Sequence, residues 1–171
     1  MILRSFVDPG QLVVAPRPTY PLYEVLVAIQ DGVMRYVDFP PDFSLPPDLA
    51  QPGARVTFLA NPNSPSGTWI PPDAVAALAA RLDGILVVDE AYVDFADADC
   101  TALLARFPGL IILRSFSKSF SLAGLRLGYA LASEDIIAGM AKVKDSYNVN
   151  RLAIVEGGDA RDDARPRRKH S

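Results

Sequence analysis

Apolar and polar positions alternate along the chain in blocks of two kinds. Residues 11–15 (QLVVA), 33–39, 55–60 (RVTFLA), 85–88 (ILVV), 110–113 (LIIL) and 127–132 are short apolar runs rich in Val, Ile and Leu, and each predicts a strand. Residues 20–30 (YPLYEVLVAIQ), 71–82, 101–107 and 134–147 read as helices between them. The first of these ends at Asp31-Gly32, a stop signal. The second opens on Pro71-Pro72-Asp73, where missing N–H groups cost little. The last starts at Ser133 as a cap, with acids behind it. The segments 16–19 and 40–52 are rich in proline and read as loops or extended connections. Uninterrupted runs such as ILVV and LIIL suit strands buried on both faces, which implies a parallel sheet covered by helices. The expected class is α/β, a three-layer α/β/α arrangement with a mostly parallel central sheet.

Composition narrows what such a domain does. The chain has 171 residues, 50% hydrophobic and 22% charged, enough apolar content to offset the entropy of ordering. A pI near 5.1 argues against nucleic acid as a partner. No apolar run reaches the roughly 18–20 residues that cross a bilayer, and the first residues, Met1-Ile2-Leu3-Arg4, make no signal peptide, so no membrane partner is expected. One cysteine, Cys100, builds neither a disulfide framework nor a cysteine-based zinc site, which favours a reducing, cytoplasmic setting. The only histidine, His170, lies in the last 16 residues, EGGDARDDARPRRKHS. That tail holds five of the 17 basic and four of the 20 acidic residues and nothing apolar larger than alanine, so 156–171 reads as disordered. A catalytic triad that depends on histidine is therefore excluded, and no metal site is expected.

Candidate chemistry gathers at strand ends. In open α/β sheets ligands bind beyond the carboxyl ends of the strands. Here RVTFLA runs into Asn61-Pro62-Asn63-Ser64-Pro65-Ser66-Gly67, ILVV into Asp89-Glu90-Ala91-Tyr92, and LIIL into Arg114-Ser115-Phe116-Ser117-Lys118. Each segment alone is weak. NPNSPSG by itself is a turn, and ILVVDE resembles the magnesium-holding strand of nucleotide hydrolases, yet no phosphate loop of the G-x-x-x-x-G-K-[ST] type occurs. Together they fit pyridoxal phosphate. A lysine can join its aldehyde, an acid can keep the pyridine nitrogen protonated, and hydroxyls with an arginine can hold its phosphate. Arg126, eight residues past Lys118, completes that inventory.

The stretch PTYPLY…ANPNSPSGT…VVDEAYVDF…LRSFSKSFSLAGLRLGY resembles the large domain of fold-type I, class I/II aminotransferases, and among them most the histidinol-phosphate aminotransferases. The resemblance runs from about residue 7 to residue 154, and the DEAY plus SFSK-x7-R combination is its specific part. It implies that Lys118 bonds the cofactor covalently and later carries a proton between the substrate's Cα and the cofactor. It implies Asp89 at the pyridine nitrogen, Tyr92 at the ring's phenolic oxygen, Tyr20 stacked on the ring, and Ser115, Ser117 and Arg126 on the phosphate. The family's asparagine before Pro-[Ser/Thr]-Gly is Ser64 here, which is shorter but still able to donate; the role is assigned to Asn63, one residue earlier, on the expectation that the turn shifts, with Ser64 as the alternative.

Transamination of L-histidinol phosphate with 2-oxoglutarate, in a homodimer whose active site is shared between subunits, is the implied activity, with small-molecule amino donor and 2-oxo acid as partners. Family members are about twice as long. The resemblance implies an upstream glycine-containing loop for the phosphate, a tyrosine that reaches the neighbouring subunit, and a downstream substrate arginine. The chain therefore reads as a partial large domain over 1–155, and the switch at 156 as a frameshift or misjoined gene end. Two other readings stand beside this one. For this chain alone little or no turnover is expected, as for a truncated or pseudogene product that only binds pyridoxal phosphate; the third reading is a relative such as threonine-phosphate decarboxylase.

Overall fold

Alternate residues of each apolar run bury on opposite sides, which makes the runs strands of one sheet. In the computed structural model, which describes residues 1–145 and Val149, the strands are β1 (Leu12–Arg17), β2 (Val33–Asp38), β3 (Ala54–Ala60), β4 (Ile85–Asp89), β5 (Leu110–Ser115) and β6 (Gly128–Ala132). They lie in the order β2-β1-β3-β4-β5-β6. The helices are α1 (Ile2–Phe6), α2 (Leu22–Ile29), α3 (Pro72–Ala79) and α4 (Glu134–Lys142). Leu86, Val88 and Ile112 face one side of the sheet, with Leu59, Val75 and Leu78 of α3 and Leu103 beside them. Ile85, Val87 and Ile111 face the other, against Leu3 of α1, Val27 of α2, and Ile136 and Met140 of α4. The three-layer α/β/α class follows from that division. Each fully buried Val, Leu or Ile contributes about 1.5–3 kcal/mol, so the central strands β3, β4 and β5, with residues at 0–2% exposure on both faces, hold the layers together.

Helix α2 buries only Tyr23 and Val27 and leaves Val25 and Ile29 exposed. The sequence expectations differ from the structure at a few places. The short helix α1 has too few residues for a periodic signal and was not expected. Residues 101–107 form a 3-10 turn, Thr101–Ala105, rather than an α-helix, and the 40–52 connection contains another, Pro47–Leu49. Ser133 precedes α4, but its hydroxyl donates to Pro108 O at 3.1 Å instead of capping the helix. Tyr147, and with it the end expected for the last helix, lies outside the described residues, as do the 156–171 segment and His170.

Two topological facts place the site. Chain order reverses across β1, since β2 lies on one flank of β1 and β3 on the other, which opens a crevice at their carboxyl ends. The second is the direction of β6. Strands β1 to β5 are parallel, but β6 returns antiparallel to β5, with Ser115 opposite Gly128. The start of β6 therefore sits at the carboxyl edge, beside the end of β5. Such close pairing tolerates no side chain at 128, where a Cβ would meet Arg114 O at 2.8 Å. Gly128→Ala is expected to push β6 away from β5 and cost about 1–3 kcal/mol. A lowered urea midpoint would register it, and an unchanged midpoint would mean that β6 is not held this tightly.

Candidate active site

Residues following β3, β4 and β5 meet at the carboxyl edge of the sheet because the ladder continues past the strands. Asn61 N–H donates to Asp89 O at 2.9 Å, and Glu90 N–H donates to Leu113 O at 2.8 Å. The three chemically loaded segments are thus fastened side by side.

The β3 segment is a tight turn. Asn61 is buried and exchanges two hydrogen bonds with Ile70, donating to its carbonyl at 2.8 Å and accepting from its N–H at 2.7 Å. Asn63 N–H donates to Thr68 O and Gly67 N–H to Asn63 O, both at 2.8 Å. Gly67 has φ +73°, a backbone conformation that glycine adopts without strain. The Asn63 amide donates to Pro18 O at 3.0 Å and to Ser66 Oγ at 2.8 Å, and its oxygen accepts from Thr19 at 3.2 Å. Asn63 therefore ties the turn after β3 to the loop after β1. Pro62, Asn63, Ser64, Pro65 and Gly67, with Tyr92 and Phe95 opposite, line a cleft of about 380 Å³.

The β4 segment carries two acids with opposite surroundings. Asp89 is partly exposed at the edge, where its Oδ2 accepts from the Tyr23 hydroxyl at 2.7 Å and its Oδ1 from Ala91 N–H at 3.1 Å. Each oxygen keeps a lone pair for a further donor. Glu90 points the other way, its side chain fully buried, accepting from Cys100 N–H at 2.7 Å and from Arg114 Nε and Nη2 at 3.0 and 2.8 Å. Burial pushes the Glu90 carboxyl up, against the pull of the Cys100 N–H and Arg114. Burial, and then Glu90, push the Cys100 thiol up to about 12, so it remains a protonated core residue.

The β5 segment presents the amine. Lys118 is exposed, with Nζ 5.0 Å from the centroid of the Tyr92 ring. Hydrogen bonding to the Tyr92 phenol raises its ammonium above the usual lysine range. Ser115 Oγ accepts from Ser117 N–H at 3.0 Å, which leaves its own hydroxyl hydrogen for an anion. The Ser119 hydroxyl bonds Asp94, joining the lysine loop to the turn after Tyr92. Arg126 has φ +54° and is exposed, with Nη1 donating to Ala123 O at 3.2 Å. Arg126 lies two residues before Gly128, the residue paired with Ser115. Tyr20 is 44% exposed and meets the Tyr23 ring edge to face, with centroids 5.6 Å apart. Among the described residues, no cluster of His, Cys, Asp and Glu could hold a metal ion.

The strand ends thus bring together Asp89, Tyr92, Ser115, Ser117 and Lys118, and the antiparallel return of β6 brings Arg126. Sequence reasoning missed Tyr23, the partner of Asp89. It lies three residues after Tyr20, so helical spacing places both on one face. It also missed Phe95 on the cleft wall, and the Glu90–Arg114 pair, which the pattern alone reads as two surface charges.

This arrangement is the large-domain fold of fold-type I aminotransferases. The model of the aminotransferase class I and II family matches residues 1–155, and the chain belongs to that family. It is 42% identical over 154 residues to histidinol-phosphate aminotransferase 1 of Trichormus variabilis, covering 90% of this chain and 44% of the relative. The Synechocystis histidinol-phosphate aminotransferase is 40% identical over 157 residues, covering 92% and 45%. The crystal structure of histidinol-phosphate aminotransferase from Sinorhizobium meliloti in complex with pyridoxal-5'-phosphate superposes with a TM-score of 0.86 at 30% identity, covering 95% of this chain and 47% of that one. A mutant aspartate aminotransferase of Thermus thermophilus gives 0.74 at 26% identity, covering 83% and 42%. The chain spans less than half the length of these relatives. No helix among the described residues is long and apolar enough to cross a membrane.

Proposed function

We propose that this chain contributes the cofactor-binding part of a pyridoxal-phosphate-dependent aminotransferase that exchanges an amino group between L-histidinol phosphate and 2-oxoglutarate in histidine biosynthesis, in the cytoplasm and as a homodimer. The observation that carries the reading is one edge of one sheet holding an amine, a phenol, a partly exposed carboxylate, two serines and an arginine, in a chain about 40% identical to histidinol-phosphate aminotransferases. The donor set fits the cofactor. Asp89 has an open lone pair for a pyridinium N–H, Lys118 has an exposed amine for an aldehyde, and Ser115, Ser117 and Arg126 offer hydroxyl and guanidinium hydrogens for a phosphate.

Bound here, pyridoxal phosphate supplies an aldehyde and a ring that accepts the electron pair left when an α-proton departs. In the proposed mechanism, the Asp89 carboxylate would hold a proton on the ring nitrogen and so keep that ring electron-poor. Tyr92 would donate to the ring's phenolic oxygen, and Tyr20 would cover one face of the ring. Lys118 Nζ would hold the cofactor through its aldehyde and, as a neutral amine, would serve as the base for the proton on Cα of the amino substrate. Asn63 would reach the phenolic oxygen only by giving up one of its amide's two bonds, to Pro18 O or to Ser66 Oγ.

The pH dependence follows from the Lys118–Tyr92 contact. Only the neutral amine adds to an aldehyde, and Tyr92 raises the Lys118 value, so the phenol keeps the amine protonated to higher pH. In Tyr92→Phe the lysine value falls. The pH profile for covalent capture of pyridoxal phosphate is then expected to move to lower pH, measured by borohydride trapping and mass spectrometry. A profile that stays in place, or moves upward, would contradict the contact. Complete failure of the unmodified chain to capture pyridoxal phosphate at Lys118 would sink the functional proposal.

A further inference from the structure

We propose that Tyr23 is the positioning residue of the cofactor site, setting the Asp89 carboxylate and the Tyr20 ring in one fixed relation. This rests on the cofactor reading above and adds to it a residue on which that reading did not draw. Tyr23 is 4% exposed, and three contacts leave its ring no freedom. It stacks on Phe58 of β3 with centroids 4.5 Å apart and planes 10° from parallel. Its ring meets Tyr20 at 86°. Its hydroxyl donates to Asp89 Oδ2 at 2.7 Å.

The two residues proposed to hold the ring, one at its nitrogen and one on its face, thus share a single rigid neighbour. A carboxylate on an edge rotates unless both oxygens are held. Tyr23 holds Oδ2 and Ala91 N–H holds Oδ1, which fixes the plane in which an approaching N–H must lie. Burial first, and then Asp89, raise the Tyr23 phenol far above its usual range, so it stays a donor at every working pH. The spacing is helical. Tyr20 precedes α2 and Tyr23 sits in its first turn, and the turn between them, with Tyr23 N–H donating to Tyr20 O at 3.3 Å, sets the two rings against each other.

Tyr23→Phe keeps the ring contacts and removes the hydroxyl alone. Pyridoxal phosphate is titrated into the full chain, and the visible band and its pH dependence are followed. Tyr23→Phe is expected to weaken binding about tenfold and to move the pH midpoint of the band. In an Asp89→Asn background the same change is expected to do neither. Replacing Tyr23 with p-aminophenylalanine, which keeps a donor on the ring, is expected to restore both, and it serves equally if Tyr23→Phe fails to fold. Wild-type binding with an unaltered Tyr23→Phe variant would overturn the positioning role and leave the cofactor site standing. Equal losses in both backgrounds would overturn it too, because the effect would not run through the acid. No band in the unmodified chain would overturn the cofactor reading itself.

Discussion

Lys118→Ala is expected to abolish covalent capture of pyridoxal phosphate while leaving the fold intact. The side chain is exposed, and its one aromatic contact, with Tyr92 at 5.0 Å, is worth about 0.5–1 kcal/mol at such a site. Thermal or urea unfolding of the variant should therefore follow the parent closely. The chemical change is expected to be all or none, because Lys118 stands beside Tyr92 on the sheet edge that also carries Asp89 and Ser115. Borohydride trapping followed by peptide mapping reads the outcome directly. Label that persists at full yield after Lys118 is removed would mean that another amine forms the bond, and the site assignment would fail.

Arg114→Met is expected to be the most destabilising single change at the carboxyl edge, by about 3–5 kcal/mol at neutral pH. Glu90 is wholly buried, and two of its three hydrogen bonds come from that guanidinium. Removing Arg114 strands a charge where water cannot reach it. Asp99, which also loses its contact with Arg114 at 3.0 Å, is 39% exposed and adds a smaller part.

The pH dependence has a definite sign. A carboxyl whose folded value is raised contributes stability that is present below its ordinary value, 4.5 for Glu90, and lost as pH rises through the folded value. Without Arg114 that folded value rises further. The penalty is then largest above it and shrinks as the solution is acidified toward 4.5, where Glu90 takes a proton. Urea unfolding of parent and variant across that range tests this, and a penalty that does not change with pH would refute it. Glu90→Leu added to Arg114→Met is expected to recover most of the loss, since an uncharged pair leaves nothing stranded.

What the sequence shows of this fold is what hydrophobic patterning can carry. Runs such as ILVV and LIIL name buried strands because both faces of a central strand must be apolar, and the structure places Ile85–Asp89 and Leu110–Ser115 at the centre. Direction is another matter. Strand β6 has the same kind of run as the parallel strands, and nothing in five residues says that it turns back along β5. That turn is set by the loop between them and by the close approach at Gly128, which are tertiary facts.

The same division holds for the site. Asp89, Tyr92 and Lys118 were legible as residue types at strand ends. The Tyr23–Asp89 bond spans 66 positions and the Arg114–Glu90 bond 24, and no local pattern reports a partner at such a distance. Glu90 and Asp89 are neighbours in sequence with opposite fates, one buried with an arginine and one partly exposed at the sheet's carboxyl edge, because successive residues of a strand point to opposite faces.

The antiparallel return of β6 also bears on how the site assembles during folding. Ser115 and Gly128 pair across only 13 positions, so the segment carrying Lys118 and Arg126 closes as one local loop. The acid meets its tyrosine only when a loop of 66 positions closes. The longer closure costs about 1.4 kcal/mol more in chain entropy. The phosphate-gripping and amine-bearing side of the site can therefore form as an early local unit, with the side that reads the ring added only when the sheet is complete.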